Sequence, residues 1–348
     1  MRNRLVVAGV VVLVVAVVAA GLLWWRSAQT TQLQRAVAMA PATTERMTWT
    51  DWAGVRTTLG SDLDASSSTD ELAGFLDEAF EEDLSPMSAL VESAETMQES
   101  YGFSPASLEW ELLAQSEQGT AVVMGLPAET DFDELADGLE QLGYQRPDDD
   151  TGVWRGGRDL LPQIGTLTPE LQYLALDGDR QLVVSSDTET YARTAIAAAT
   201  GEQDGFEGLD AVVEAAGSPL AAAIYGSDVV CGSLAMGNAG PADQDEARHL
   251  LAAAGEVNPL TGFAMARSSG GVRVAMSFDT EEQARANADS RARLASGPAP
   301  GQGGTFSDRF ELGRVSAQGE VVTMELDPVE GSYVLSDLSN GPLLFATC

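Results

Sequence analysis

The side chains best suited to catalysis are scarce in this chain of 348 residues. All 19 basic residues are Arg, there is no Lys, the one His is His249, and the two Cys are Cys231 and Cys348. P-loops, pyridoxal phosphate sites and Ser-Lys acylases need a Lys, and common zinc sites need more His and Cys than this chain has. The sequence therefore predicts no catalytic, cofactor-binding or metal-binding residue, and we expect the protein not to be an enzyme.

His249 is the first candidate to weigh against that expectation. It lies in an acidic segment, residues 243–251, and could act as the base of a Ser-His-acid triad. The Gly-x-Ser-x-Gly turn that presents the nucleophile of many hydrolases is missing from the sequence. An exposed His on an acidic helix explains the position without catalysis, so we predict that His249 is not catalytic.

Carboxylate chemistry remains open because the chain has 53 Asp and Glu. Two carboxylates at a suitable separation hydrolyse glycosidic bonds, and exposed Trp rings stack on sugars. Trp52 and Trp154 are candidates for that stacking, whereas Trp110 lies in an alternating strand and is expected in the core. An envelope hydrolase that works through carboxylates is therefore the alternative function.

Two acidic runs resemble parts of cation sites. Asp62, Asp64 and Ser66 have the spacing that opens a calcium loop, but the sixth and twelfth positions are Ser67 and Ala73 instead of Gly and Glu. Capping of the next helix explains this run better. Residues 148–150 are three Asp after a Pro and are typical of a solvated turn.

Cys231 and Cys348 are predicted to form a disulfide. Outside the cytoplasm, two Cys without metal-binding neighbours most simply pair with each other. Two buried free thiols are the alternative.

The charge of the chain excludes one class of partner. Residues 27–348 contain 16 Arg and all 53 acids, which gives this part a formal net charge of −37. Nucleic-acid binding depends on neutralising phosphates with basic side chains. We therefore expect no nucleic-acid partner, and we expect the acidity to serve solubility near a membrane or in high salt.

The first 26 residues predict a membrane anchor. Leu5 to Trp25 are 21 apolar or Gly residues without a charge, and as a helix they would span about 31 Å, close to the hydrocarbon thickness. Trp24 and Trp25 suit the interface, and Arg26 follows them. A cleaved signal peptide that releases a secreted protein is the alternative. We expect a single-pass protein with its body outside the cytoplasm.

Residues 27–46 are polar and aperiodic and are predicted to be a stalk. Residues 47–107 are predicted to be helical. Ser68 to Asp83 is predicted to be a helix that begins with the capping-box pattern of Ser68 and Glu71. Its apolar residues have the spacing of one buried stripe, and they are Leu72, Phe75, Leu76, Ala79 and Phe80. Ser85 and Pro86 predict the start of a second helix that ends at Tyr101.

From residue 108 onward the pattern changes to hairpins that are each followed by a helix. The predicted hairpins cover residues 108–124, 171–184, 262–277 and 310–326, and the helices after them are expected to be capped by Asp131, Asp187, Asp279 and Asp327. The second and third units share the letters Asp-Thr-Glu-x-x-Ala-Arg at 187–193 and 279–285. We interpret this repeat as helix-capping chemistry.

These ββα units predict an α+β fold with two antiparallel-sheet lobes and helices on one face of each sheet. The expected organisation is an anchor at 1–26, a stalk at 27–46, a helical segment plus first lobe at 47–204, a bridge at 205–260 and a second lobe at 261–348. The bridge is expected to contain helices at 209–216 and 243–254, and residues 343–347 are expected to form a final strand.

The layout of anchor, polar stalk and acidic ββα repeats resembles uncharacterised membrane-anchored exported proteins of high-GC actinobacteria. Use of Arg without Lys, with abundant Ala, Gly and Val, agrees with that resemblance. It implies no activity and no functional residue. We expect a membrane-tethered binding or structural protein of the cell envelope, whose partner is an envelope protein or polymer; a lipid-binding carrier is a further alternative.

Overall fold

The computed structural model describes residues 30–148 and 152–348 of the chain, and within them the fold is α+β. Eleven strands form one sheet in the described part. They are β1 Arg46–Thr50, β2 Trp110–Ser116, β3 Gly119–Gly125, β4 Trp154–Arg155, β5 Tyr173–Asp177, β6 Leu182–Ser186, β7 Ala221–Gly226, β8 Gly262–Ser268, β9 Gly271–Ser277, β10 Phe310–Gln318 and β11 Val321–Pro328.

The described helices range from short single turns to fifteen residues. They are α1 Gln32–Val37, α2 Trp52–Leu59, α3 Thr69–Glu81, α4 Ala94–Ser100, α5 Phe132–Leu142, α6 Leu161–Ile164, α7 Glu189–Thr200, α8 Asp210–Ala216, α9 Ser227–Val229, α10 Pro241–Ala254, α11 Glu281–Ala295 and α12 Val334–Leu338. Short 3-10 segments occupy Val91–Ser93, Pro169–Gln172, Met236–Asn238, Phe306–Asp308 and Leu344–Ala346, and a π turn occupies Val230–Leu234.

The four predicted hairpins are present as β2–β3, β5–β6, β8–β9 and β10–β11, but they belong to one sheet instead of two lobes. The strand order is β10-β11-β9-β8-β7-β1-β2-β3-β6-β5-β4, and neighbouring strands are antiparallel. The halves are joined because β1 pairs with β7, with Thr48 opposite Ala223. Neither β1 nor β7 was predicted, because residues 47–107 were expected to be helical and residues 205–260 were expected to be a bridge.

Helices cover both faces of the sheet, which corrects the prediction of helices on one face. Apolar residues of α1, α7 and α8 pack on one face, and those of α2, α3, α5, α10, α11 and α12 pack on the other. The reason lies in the strands, where adjacent residues such as Val122 and Val123 are both fully buried. Continuous apolar runs of this kind are typical of strands that are covered on both sides.

Side chains cap the starts of α5, α7 and α11, but two of these three capping residues differ from the ones predicted. Asp131 caps α5 as predicted, with its carboxylate accepting from the amides of Asp133 and Glu134. Thr188 and Thr280, not Asp187 and Asp279, cap α7 and α11. Asp327 lies within β11 and caps no helix.

The repeated letters after those two Thr residues form the same local structure twice. Glu189 pairs with Arg193 at 2.9 Å, and Glu281 pairs with Arg285 at 2.7 Å, each across one helical turn. Such pairs support a helix by a few tenths of a kcal/mol. This agrees with the interpretation of the repeat as helix-start chemistry.

Four local predictions differ from the structure. Phe80, expected in the buried stripe of α3, is 52% exposed, because it lies in the last turn of the helix. The described part of the expected stalk folds onto the sheet, because α1 buries Leu33, Ala36 and Val37. The helix expected from Ser85 is present only as α4. Side chains of the sheet hold the segment before α4 in a turn. Residues 344–346 form a 3-10 turn instead of a final strand.

Cys231 and Cys348 form a disulfide with their Cα atoms 5.5 Å apart, which confirms the predicted pairing. Within residues 30–148 and 152–348, no helix combines the length and apolarity needed to cross a bilayer. The predicted anchor, Leu5 to Trp25, and most of the 148–150 run lie outside the described residues.

Candidate functional site

A cleft with a volume of about 1180 Å³ lies on the face of the sheet that α3, α4 and α5 cover. One wall is the loop at 63–66 before α3 together with the end of α4. The opposite wall is the turn at 126–131 and α5 as far as Gln141. Residues 107 and 109, ahead of β2, and Arg56 of α2 complete the lining.

Side-chain hydrogen bonds fix the loop that forms the first wall. The carboxylate of Asp64 accepts from the amide of Ser66 at 2.7 Å and from its hydroxyl at 2.6 Å. These bonds hold the pKa of Asp64 below its usual range. The side-chain amide of Gln98 donates to the carbonyls of Asp64, Ala65 and Ser67. The loop is therefore positioned by α4 before any ligand arrives.

The second wall is positioned by the start of α5. Its cap, Asp131, lines the cleft, and so do the acids of the first turn, Asp133 and Glu134. Negative side chains at this end of a helix are stabilised by the helix dipole. The helix thus holds these carboxylates toward the cleft at little cost in folding free energy.

The cleft is strongly negative. Among the described lining residues, seven are acids and Arg56 is the single base; the acids are Asp64, Glu109, Glu129, Asp131, Asp133, Glu134 and Asp137. Arg56 donates to the carbonyls of Pro105 and Leu108 at 3.0 and 2.8 Å, so its donors are partly used within the fold. Burial lowers the pKa of Arg56. The field in the cleft should therefore attract cationic groups.

Tyr101, which lines the cleft, forms a hydrogen-bonded pair with buried Tyr144. The hydroxyls of Tyr101 and Tyr144 lie 2.7 Å apart, and Tyr144 donates to the carbonyl of Leu171. Burial raises the pKa of Tyr101 to about 12 and raises that of Tyr144 further. Both phenols therefore stay protonated at neutral pH and act as structural hydrogen-bonding groups.

The candidates from sequence do not meet in this cleft, except Asp64 and Ser66. His249 is exposed on α10, a helix that contributes no residue to the cleft lining. Trp52, Trp110 and Trp154 are at most 7% exposed, so none of these rings is available to stack on a sugar. Within the described ranges, no three His, Cys, Asp or Glu side chains are grouped so that they could hold a metal ion.

Two buried carboxylates were missed by sequence reasoning. Glu111 on β2 is 1% exposed and accepts from the Trp52 indole, the Ser88 hydroxyl and the Ala89 amide, at 3.0, 2.7 and 2.6 Å. Burial raises its pKa to about 7 against the opposing effect of these donors. Its place in an alternating strand suggested an exposed polar face, because the sequence could not show that helices cover both faces.

Asp83, after α3, is the second of these carboxylates. It is 3% exposed and accepts from the amides of Leu335 and Ser336 at the start of α12, at 2.6 and 3.1 Å. Burial raises its pKa to about 6. Asp83 also has a positive φ of 58°, which is unusual for a residue other than Gly. This backbone angle would be the one local sign that Asp83 is unusual, but it cannot be read from the sequence.

No protein-family model matches the chain, and neither does any curated protein. Among solved structures, the chain is similar to crystal form I of TP0453 with a TM-score of 0.38 and 6% sequence identity, over 89% of this chain and 97% of that chain. Crystal form III of TP0453 gives a TM-score of 0.40 and 7% identity, over 87% of this chain and 97% of that chain. Likeness at this level shows neither a shared function nor a shared site.

Proposed function

We propose that the protein is a non-enzymatic, membrane-tethered binding protein of the cell envelope, and that its acidic cleft receives a cationic segment of a partner. The observation that carries the proposal is the charge of the cleft, where seven acids face one partly engaged Arg. A ligand with several Arg or Lys side chains would meet complementary charge on both walls.

The disulfide and the N-terminal apolar run support the location. A disulfide between Cys231 and Cys348 is typical of proteins that fold outside the reducing cytoplasm. Leu5 to Trp25 would tether such a body to the membrane. The layout also resembles that of exported actinobacterial proteins, and we propose that this chain is one of them.

The two alternatives find less support. A hydrolase would gain from carboxylates that converge in the cleft, but the described carboxylates with raised pKa values, Asp51, Asp83 and Glu111, lie outside its lining. A lipid carrier needs an apolar cavity of roughly 300 Å³ or more. The apolar pocket between α10 and α11 in the described chain holds about 150 Å³.

The test is a titration of the full chain, in phosphatidylcholine nanodiscs, with a fluorescent arginine-rich peptide. The cleft variant combines Glu129→Gln, Asp133→Asn and Glu134→Gln, and its matched control combines Glu202→Gln, Glu207→Gln and Glu246→Gln at exposed positions elsewhere. We expect the cleft variant to bind about tenfold more weakly, because each lost carboxylate removes an attraction within the cleft. The control should retain most of the affinity.

Equal losses in the two variants would show that the net charge, and not the cleft, attracts the peptide. Turnover of envelope polysaccharide or peptide that disappears on changing one carboxylate would overturn the non-enzymatic assignment. His249→Ala is expected to leave binding unchanged, since His249 lies on a helix outside the cleft.

A further inference from the structure

Two aromatic side chains from distant parts of the chain, exposed Phe80 and part-buried Tyr333, form a stacked pair. Phe80 lies in the last turn of α3 and Tyr333 lies just before α12, with ring centroids 5.4 Å apart and planes at 30°. Phe80 is 52% exposed, and Val329, in the turn that leads to Tyr333, is 43% exposed. We refer to Phe80 and Tyr333 as the aromatic patch.

Buried hydrogen bonds hold the two halves of the patch in place. Asp83, three residues after Phe80, accepts from the amides of Leu335 and Ser336, which follow Tyr333. Arg267 donates to the carbonyl of Glu82 at 3.2 Å and adds a second link from the sheet to the end of α3. The patch is therefore organised before binding, which avoids the entropic cost of ordering its side chains on association.

Acidic side chains flank Phe80 and Tyr333 along both segments of the chain. Asp77, Glu78, Glu81 and Glu82 are exposed in and just after the last two turns of α3, and Glu330 and Asp337 are exposed on the Tyr333 side. Carboxylates at the C-terminal end of a helix oppose its dipole and destabilise it. The stability of α3 therefore does not explain why these carboxylates lie at its C-terminal end. Burial of apolar surface on folding also does not explain why the Phe80 side chain is half exposed.

We propose that the aromatic patch anchors a basic segment of a partner protein, in which one apolar side chain packs on Phe80 and Tyr333 while neighbouring Arg or Lys side chains meet the flanking acids. This inference rests on the proposed function, and it adds the anchoring point and the apolar feature of the partner. Aromatic residues that are preorganised and enclosed by a polar rim are the usual centres of binding energy in protein interfaces.

The patch and the cleft lie at opposite ends of α3. The loop at 63–66 lines the cleft before the helix begins, and Phe80 lies in the last turn of its 13 residues, about 20 Å away. About six extended residues would span that distance. A single basic segment could therefore occupy the cleft and place an apolar side chain on the patch.

The test compares two fluorescent twelve-residue peptides of equal charge on the full chain in phosphatidylcholine nanodiscs. One peptide carries Arg residues around a central Leu-Trp pair, and the other has Ser in place of Leu and Trp. We expect the Leu-Trp peptide to bind at least about tenfold more tightly. Phe80→Ala should abolish that difference, and Phe132→Ala, which removes a part-exposed ring beside the cleft, should preserve it. Tyr333→Ala serves as a second patch variant.

Equal affinities for the two peptides, or a difference that survives both patch variants, would overturn the anchoring role of the patch. In that case, binding of the Ser peptide that depends on the cleft acids would leave the proposed function intact. Failure of both peptides to bind would reject the proposed function and this inference together. Thermal unfolding of each variant shows whether Phe80→Ala and Tyr333→Ala are folded, and an unfolded patch variant is replaced by Phe80→Leu, which removes the ring but keeps an apolar side chain.

Discussion

The Glu111 carboxylate is buried at the middle of a sheet whose other central residues are mostly apolar. Three donors satisfy it, yet no cation is among its hydrogen-bonding partners. Through Ser88 and Ala89 it holds the turn at 85–90 against the sheet, and Thr48 assists by donating to the carbonyl of Met87 at 2.6 Å. The buried side chain of Glu111 therefore explains why residues 85–90 form a turn instead of the predicted helix.

Glu111 should make folding stability depend on pH. Its folded-state pKa of about 7 lies above the ordinary value of 4.5, so the folded protein holds this proton more tightly than the unfolded chain. The resulting stabilisation is complete below the unfolded pKa and is lost as pH rises through about 7. A difference of this size corresponds to about 3 kcal/mol.

We therefore expect Glu111→Gln to reduce the fall in unfolding free energy between pH 4.5 and pH 8 by about 3 kcal/mol relative to the unchanged protein. Urea unfolding at a series of pH values measures this. Glu109→Gln, two residues away and part-exposed, controls for the loss of one charge. If the two variants show the same pH profile, the burial of Glu111 is not what sets the dependence.

At the scale of elements, the C-terminal tail is held at two points. The disulfide joins Cys348 to the π turn at Val230–Leu234, and buried Arg291 of α11 donates to the carbonyls of Phe345 and Thr347. Burial lowers the pKa of Arg291 to about 10, so the guanidinium remains charged at neutral pH and its carbonyl partners offset the cost of burying it. The tail is thereby tied to both α11 and the segment after β7.

Removal of the disulfide should destabilise the protein. The bond closes 117 residues, and the chain-entropy treatment assigns such a loop about 4–5 kcal/mol, against a common measured range of about 2–5 kcal/mol. We expect Cys231→Ser combined with Cys348→Ser to lower the unfolding free energy by about 2–5 kcal/mol in guanidinium unfolding. Intact mass with and without reductant should differ by two daltons in exported protein. An unchanged mass would show that the bond does not form in the cell.

At the scale of the whole molecule, the formal charge of −37 over residues 27–348 influences how the protein associates with any other charged molecule. Such a field speeds association with cationic surfaces, and salt reduces the effect because the screening length falls to about 3 Å at 1 M. The charge is carried by exposed helices such as α3, which has five acids and no base. We expect the same surface to disfavour binding of nucleic acid and of anionic lipid headgroups.

The predicted anchor leads to a test of orientation. If Leu5 to Trp25 span the membrane with the body outside, protease added to intact spheroplasts should digest the body without lysis. Digestion only after lysis would reverse the orientation. Recovery of the body from the medium would favour the cleaved signal peptide. A cytoplasmic membrane protein of known topology serves as the internal control.

The sequence by itself determined the features that depend on short-range order. The hairpins β2–β3 and β8–β9, helix α3 with its Ser68–Glu71 capping box, and the helices at 210–216 and 241–254 all follow from local periodicity and capping. The disulfide followed from counting, since only two Cys are present. Local patterns are sufficient here because the interacting residues are close together in the chain.

Only the tertiary structure decided how those elements combine. The pairing of β1 with β7 made one sheet of two expected lobes, and cover on both faces buried Glu111 instead of exposing it. Asp83 and Leu335 are 252 residues apart, and so the aromatic patch of Phe80 and Tyr333 has no signal in either segment alone. Contacts at such separation depend on which surfaces become buried together, and a pattern confined to one segment does not specify its distant neighbour.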